Sequence, residues 1–96
     1  MAYLTGNFFD LTTNFTKSCN IISIRVMAPC GNKILFRIDK SLTIADMFCF
    51  YCMRQCVAIE CIEMSYKNQI LHPNDTPILL DMKNDSIIKA TLMTRH

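Results

Sequence analysis

From Ile22 onward the apolar positions fall into two periods. Ile22, Ile24 and Val26 alternate with Ser23 and Arg25, and Ile34, Phe36 and Ile38 alternate with Leu35, Arg37 and Asp39. A period of two is that of a half-buried strand. Pro29-Cys30-Gly31-Asn32 between them is a turn cluster, so the two runs predict a hairpin. Ile44, Met47 and Tyr51, with Phe48 and Cys52, then recur at helical spacing. Thr43 is the expected N-cap, with Asp46 three residues on, and the helix should end near Cys56. Ile59, Ile62, Met64 and Tyr66 predict a third strand. Lys67-Asn68 predicts a tight turn, because Asn tolerates positive φ. Residues 69–71 predict a short strand and residues 72–81 a loop carrying Pro73 and Pro77. After a second turn cluster, Lys83-Asn84-Asp85-Ser86, residues 87–92 predict the last strand. This order predicts an α+β domain, a mixed sheet packed on one main helix.

Residues 1–18 differ. Phe8, Phe9, Leu11 and Phe15 stand among Thr, Asn and Gly without a clear period, which reads as an arm and not as strand or helix. Either it is a loose terminus, or it docks its aromatics on this domain or on a partner.

Composition narrows the function classes. At 96 residues the chain is one domain, and a net charge of +2 is too mild to argue for nucleic acid or an anionic membrane. No apolar run approaches the roughly 18–20 residues needed to cross a bilayer. The first 18 residues hold one basic residue, Lys17, and no long apolar block, so no secretory signal is expected and the chain is placed in the nucleus or cytoplasm. There its six cysteines are expected to be reduced thiols. The sequons at Asn14, Asn74 and Asn84 carry no weight without a secretory route.

Catalysis has little support. His72 and His96 are the only histidines, both in loop or tail; no nucleophile has a base at hand, and there is no phosphate loop. Cys49, Cys52 and Cys56 share a helix face and, with Cys61 or His72, suggest zinc. Their spacing matches no common zinc module, so they read as hydrophobic cysteines, and neither metal nor cofactor is expected.

Two segments carry a more specific signal. Tyr51-Cys52-Met53-Arg54-Gln55-Cys56-Val57 resembles the Y-C-x-R-Q-G-V of the small ubiquitin-like modifier (SUMO) family, and Thr76-Pro77-Ile78-Leu79-Leu80-Asp81-Met82 resembles its T-P-x-x-L-x-M. The register runs from Ile21 without a gap over about three-quarters of the chain. The resemblance implies a ubiquitin-like β-grasp with a four- to five-stranded sheet, divided as arm (1–20, flexible or docked), domain (21–94) and tail (95–96). Where the family exposes a Gly-Gly pair for conjugation, this sequence has Arg95 and His96, and Lys17-Ser18-Cys19 is no lysine acceptor site. The expectation is therefore a module that binds proteins without being conjugated, a subunit or adaptor of a nuclear complex. The alternatives are a genuine modifier in shortened form or a dimerisation module.

The resemblance also implies a peptide groove, in which a partner's short apolar strand adds beside the strand at residues 34–38. Its residues would be Ile34, Leu35, Phe36, Arg37 and Ile38 from that strand and Met47, Phe50, Tyr51 and Arg54 from the helix. Phe50 replaces a small polar residue and is expected to crowd or plug the groove. A second expected interface, to a partner protein or a second copy in a homodimer, is the helix face of Ala45, Phe48, Cys49 and Met53, where the family carries charges. The family's surface for its conjugating enzyme matches poorly here: Lys83-Asn84-Asp85-Ser86 stands where the family has acidic residues near the last turn, and Glu63 and Lys67 stand where its charges are the other way round. Cys56 stands where a glycine would end the helix.

Overall fold

The computed structural model describes residues 7–93. In chain order these form β1 (Phe8–Asp10), β2 (Ile21–Met27), β3 (Lys33–Asp39), α1 (Ala45–Gln55), β4 (Ile62–Tyr66), β5 (Gln69–Ile70) and β6 (Ser86–Leu92). The strands make one mixed sheet in the order β1-β3-β2-β6-β4-β5. β2 and β3 are the expected hairpin, with Ile24 opposite Phe36 and Val26 opposite Ile34. β6 returns parallel to β2 and antiparallel to β4.

The period-two pattern decides which side chains face the helix. Ile22, Ile24, Val26, Ile34, Phe36 and Ile38 are all buried, and they meet Met64, Ile88 and Ala90 from the other half of the sheet. The helix contributes Ile44, Met47, Phe48, Tyr51 and Cys52. These positions fall at i, i+3, i+4, i+7 and i+8, the single stripe by which a helix packs on a sheet. Lys67 and Asn68 both have positive φ, 49° and 66°, as the primed two-residue hairpin turn from β4 to β5 requires.

Four expectations need correction. The sheet has six strands, because Phe8–Asp10 is a strand and not irregular arm. Thr43 does not cap the helix. The cap residue is Ile44, without a side-chain cap, and its N–H donates to the Asp75 carbonyl at 2.9 Å while its own carbonyl accepts from Phe48 N–H. The anchored, buried Ile44 and the 72–81 loop thus do the work assigned to a polar cap. The strand expected from Ile59 begins at Ile62, preceded by a 3-10 turn over Ile59–Cys61. Phe48, expected on an exposed apolar face, is buried in the core.

At the helix end Cys56 takes the left-handed conformation, φ 58° and ψ 41°. Its N–H reaches Met53 and the Val57 N–H reaches back to Cys52, closing the last carbonyls in a Schellman pattern. A side chain in that conformation costs about 1–2 kcal/mol, and the exposed Cys56 gives up little packing if removed. Replacing Cys56 with glycine is expected to stabilise the domain by about 1 kcal/mol, raising Tm by about 4–8 °C in thermal denaturation. An unchanged or lower Tm would contradict this.

Candidate functional site: the edge of β3 and its docked arm

β3 lies between β2 and β1, and without β1 it would be an open sheet edge next to α1. β1 fills that edge in parallel, with Phe8 opposite Leu35, Phe9 opposite Phe36 and Asp10 opposite Arg37. The flanking hydrogen bonds run from Leu35 N–H to the Asn7 carbonyl (2.7 Å) and from Leu11 N–H to the Arg37 carbonyl (2.8 Å). Alternation along the arm turns Phe9 inward, and Leu11 packs against the core on the same side.

Phe9 is the centre of the site. It is 1% exposed. Its ring stacks on Phe36, centroids 5.2 Å apart and planes 13° from parallel, and tilts against Phe50 at 5.6 Å. One aromatic from the arm is therefore held between one from the sheet and one from the helix. Aromatic pairs in such geometry add about 0.5–1.5 kcal/mol each beyond burial. Beside it a cleft of about 240 Å³ remains, lined by Phe9, Phe50, Met53 and Arg54.

Asp10 fixes the exit of the arm. Its Oδ1 accepts from Thr12 N–H (3.0 Å) and Thr12 Oγ1 (2.6 Å), and Oδ2 accepts from the Arg37 guanidinium at 3.3 Å. Burial raises the Asp10 pKa, but the Thr12 hydrogen bonds and the Arg37 charge outweigh it, and the carboxyl lies below its ordinary 3.8. A carboxylate with a lowered pKa contributes stability in full above its unfolded value and loses it as pH falls through the folded one. Arm docking is therefore expected to hold from pH 7 to about pH 5 and to weaken below about pH 4. Hydrogen exchange at the Leu11 amide, corrected for intrinsic rate, reads this directly. Asp10→Asn should flatten the response, and docking that tightens on acidification would contradict it.

Of the residues expected to form the groove, Phe36 and Phe50 do grip the inserted ring, Leu35 and Arg37 pair with the added strand, and Arg54 borders the cleft. Ile34, Ile38, Met47 and Tyr51 are instead core residues, because strand and helix periodicity turn them under the sheet. Phe50 does not plug the groove but forms one wall of it. The expected apolar helix face is also corrected. Phe48 is 3% exposed, sharing its stripe with Ile44 and Cys52. Ala45 is half-buried, and only Cys49 and Met53 of that set are exposed. The residue that sequence reasoning missed as a site residue is Phe9. Its signal was Phe9 and Leu11 flanking Asp10, an inward-outward-inward triplet too short to count as a period.

A second cleft, about 310 Å³, opens at the far end of the helix between Pro29, Tyr51, Val57, Ile62 and Leu92. Burial raises the Tyr51 pKa, as does Cys30, against a hydrogen bond with Gln55. Burial likewise raises that of Cys52, helped by Cys49, Glu60 and Cys61. Both groups are thus held in their neutral forms. Among the described residues, no three His, Cys, Asp or Glu side chains gather as a metal site, and the six cysteines are free thiols.

Residues 22–92 match the family described as Ubiquitin-2 like Rad60 SUMO-like. The chain belongs to this SUMO-like family. Within the SUMO-like domain the chain is 31% identical over 71 residues to Small ubiquitin-related modifier 2 of Arabidopsis thaliana, covering 74% of this chain and 69% of that protein. It is 27% identical over 71 residues to the ubiquitin-like protein pmt3/smt3 of Schizosaccharomyces pombe, spanning 61% of that protein's length. The fold of the SUMO-like domain is that of a Caldiarchaeum subterraneum ubiquitin, with a TM-score of 0.70 over 78% of this chain and 96% of that one at 13% identity. The matched region begins at β2, so the docked β1 lies outside it.

Proposed function

We propose that this SUMO-like domain is a protein-interaction module that takes an extended partner segment at the β3 edge, acting as a non-conjugated subunit or adaptor in the nucleus or cytoplasm. The observation that supports it is the seating of β1. The edge of β3 and the wall of α1 together hold a short strand by main-chain pairing and one deep side-chain slot. That is strand addition, in which backbone bonds give affinity and pockets give selectivity. The expectation that the chain is not conjugated concerns Arg95 and His96, which lie outside the described residues.

The test is amide-shift mapping on the full chain with a panel of short extended peptides carrying apolar cores and acidic flanks. Shifts centred on Leu35, Arg37 and Phe50 are expected. Shifts centred elsewhere, for example on β5, would overturn the placement of the site. Incubation with a SUMO-type E1, E2 and ATP is expected to give no thioester-linked band, and such a band would overturn the non-conjugated part.

A further inference from the structure

We infer that Phe8–Asp10 is a pseudo-ligand for the β3 groove, and that the groove's true partner is a parallel extended segment carrying an aromatic residue followed directly by an acidic one. This rests on the strand-addition reading above and goes further in naming the partner's chemistry, its direction and what stands in its way.

Direction follows from register. β1 runs parallel to β3, with its N-terminal end beside Ile34 and Lys33 and its C-terminal end toward Ile38. Side-chain chemistry follows from the slot. Phe36 and Phe50 form two aromatic walls around Phe9, and the near-parallel stack on Phe36 is a fit for a flat ring rather than a branched aliphatic group. The acidic preference follows from the next position, where Asp10 stands opposite Arg37 and pairs with its guanidinium. A partner with the same order of groups reproduces each of these contacts.

The arm is built so that a partner can displace it. β1 is three residues long and joins β2 through residues 11–20, where Phe15 is exposed and one 3-10 turn, Ser18–Asn20, is the only regular element. Short edge elements of this kind open at less cost than the whole fold. Among the described residues, β1 leaves the cleft between Phe50, Met53 and Arg54 unfilled. A partner segment with a further apolar group gains contacts there that β1 does not make, and Met53 is a flexible surface that adapts to its shape. While the arm is docked, apparent affinity for the partner is reduced by the fraction of molecules with the groove open.

The experiment uses the full chain and its Phe9→Asp variant, with Phe9→Ala in its place if the first gives no dispersed amide spectrum. The probe is a synthetic peptide of the sequence Asn-Phe-Phe-Asp-Leu with Gly-Ser flanks and a nitroxide at its N-terminus. The variant is expected to bind the peptide at least tenfold more tightly than the wild-type chain. The nitroxide should broaden Lys33 and Ile34 more than Asp39, and a peptide with Lys in place of Asp should bind more weakly. Equal affinity for the two proteins, strongest broadening at Asp39, or indifference to the Lys peptide would each overturn the inference. Aliphatic peptides that shift Leu35 and Phe50 equally in both proteins would overturn it while leaving the strand-addition reading intact. Absence of any peptide binding at β3 in either protein would overturn both.

Discussion

Replacing Phe9 with alanine is expected to lower Tm by about 10–20 °C. Full burial of a Phe side chain contributes about 1.5–3 kcal/mol, and its two ring contacts add about 0.5–1.5 kcal/mol each. Substitutions of Phe by Ala in closed cores cost about 3–5 kcal/mol because a cavity remains. Phe9 sits on an edge strand that can detach instead, which holds the loss at the lower end of these ranges, about 2–3 kcal/mol. At about 4–8 °C per kcal/mol for a domain of this size, the shift is easily read by thermal denaturation. The control lies in the same arm: Phe15 is 94% exposed, and Phe15→Ala should fall within about 0.5 kcal/mol of wild type. Equal effects of the two substitutions would mean that the arm is not docked through Phe9.

Phe48→Lys is expected to be more damaging still than Phe9→Ala. The ring is buried in the stripe that α1 lays on the sheet. Its removal costs about 3–5 kcal/mol in packing, and a lysine ammonium carried into that stripe, with no acidic partner on the stripe, adds more. Small domains hold about 5–15 kcal/mol in total. Phe48→Lys should therefore leave a largely unfolded chain, or one whose denaturation midpoint is lowered by most of its range. Met53, 71% exposed on the adjoining face, provides the contrast: Met53→Lys should leave the midpoint nearly unchanged. A Phe48→Lys variant with wild-type stability would return Phe48 to the surface.

These contrasts show which features were readable in the chain. The β2–β3 hairpin, the helix stripe and the Lys67-Asn68 turn are local patterns, each fixed by residues near in sequence, and they appear where the periods place them. β1 is different in kind. It is three residues, and it becomes a strand only because β3, some 27 residues away, offers an edge. No local period can announce a pairing that depends on a distant acceptor. Phe48 was misplaced for another reason. The family resemblance places charges on this helix face, whereas Phe48 lies four residues from both Ile44 and Cys52 and so falls on the buried stripe. The N-cap failed because the 72–81 loop supplies the Asp75 carbonyl to Ile44, a tertiary solution invisible in Thr43-Ile44-Ala45-Asp46.

The docked arm also answers a physical need of the sheet. An uncovered β3 would present unpaired N–H and C=O groups next to aromatic surface, the kind of edge that pairs with other chains. β1 covers it, and Asp10 with Arg37 places an ion pair at the rim. On the proposed function, one groove serves both as protected edge and as binding site, with displacement of the arm connecting the two.

The most direct test of this account is the nuclear Overhauser spectrum of the full chain with its phenylalanine rings selectively labelled. The account predicts cross-peaks from the Phe9 ring to those of Phe36 and Phe50, with Phe9 resonances shifted by ring currents and Phe15 at random-coil positions. A Phe9 ring at random-coil shifts, with no cross-peak to Phe36 or Phe50, would contradict it.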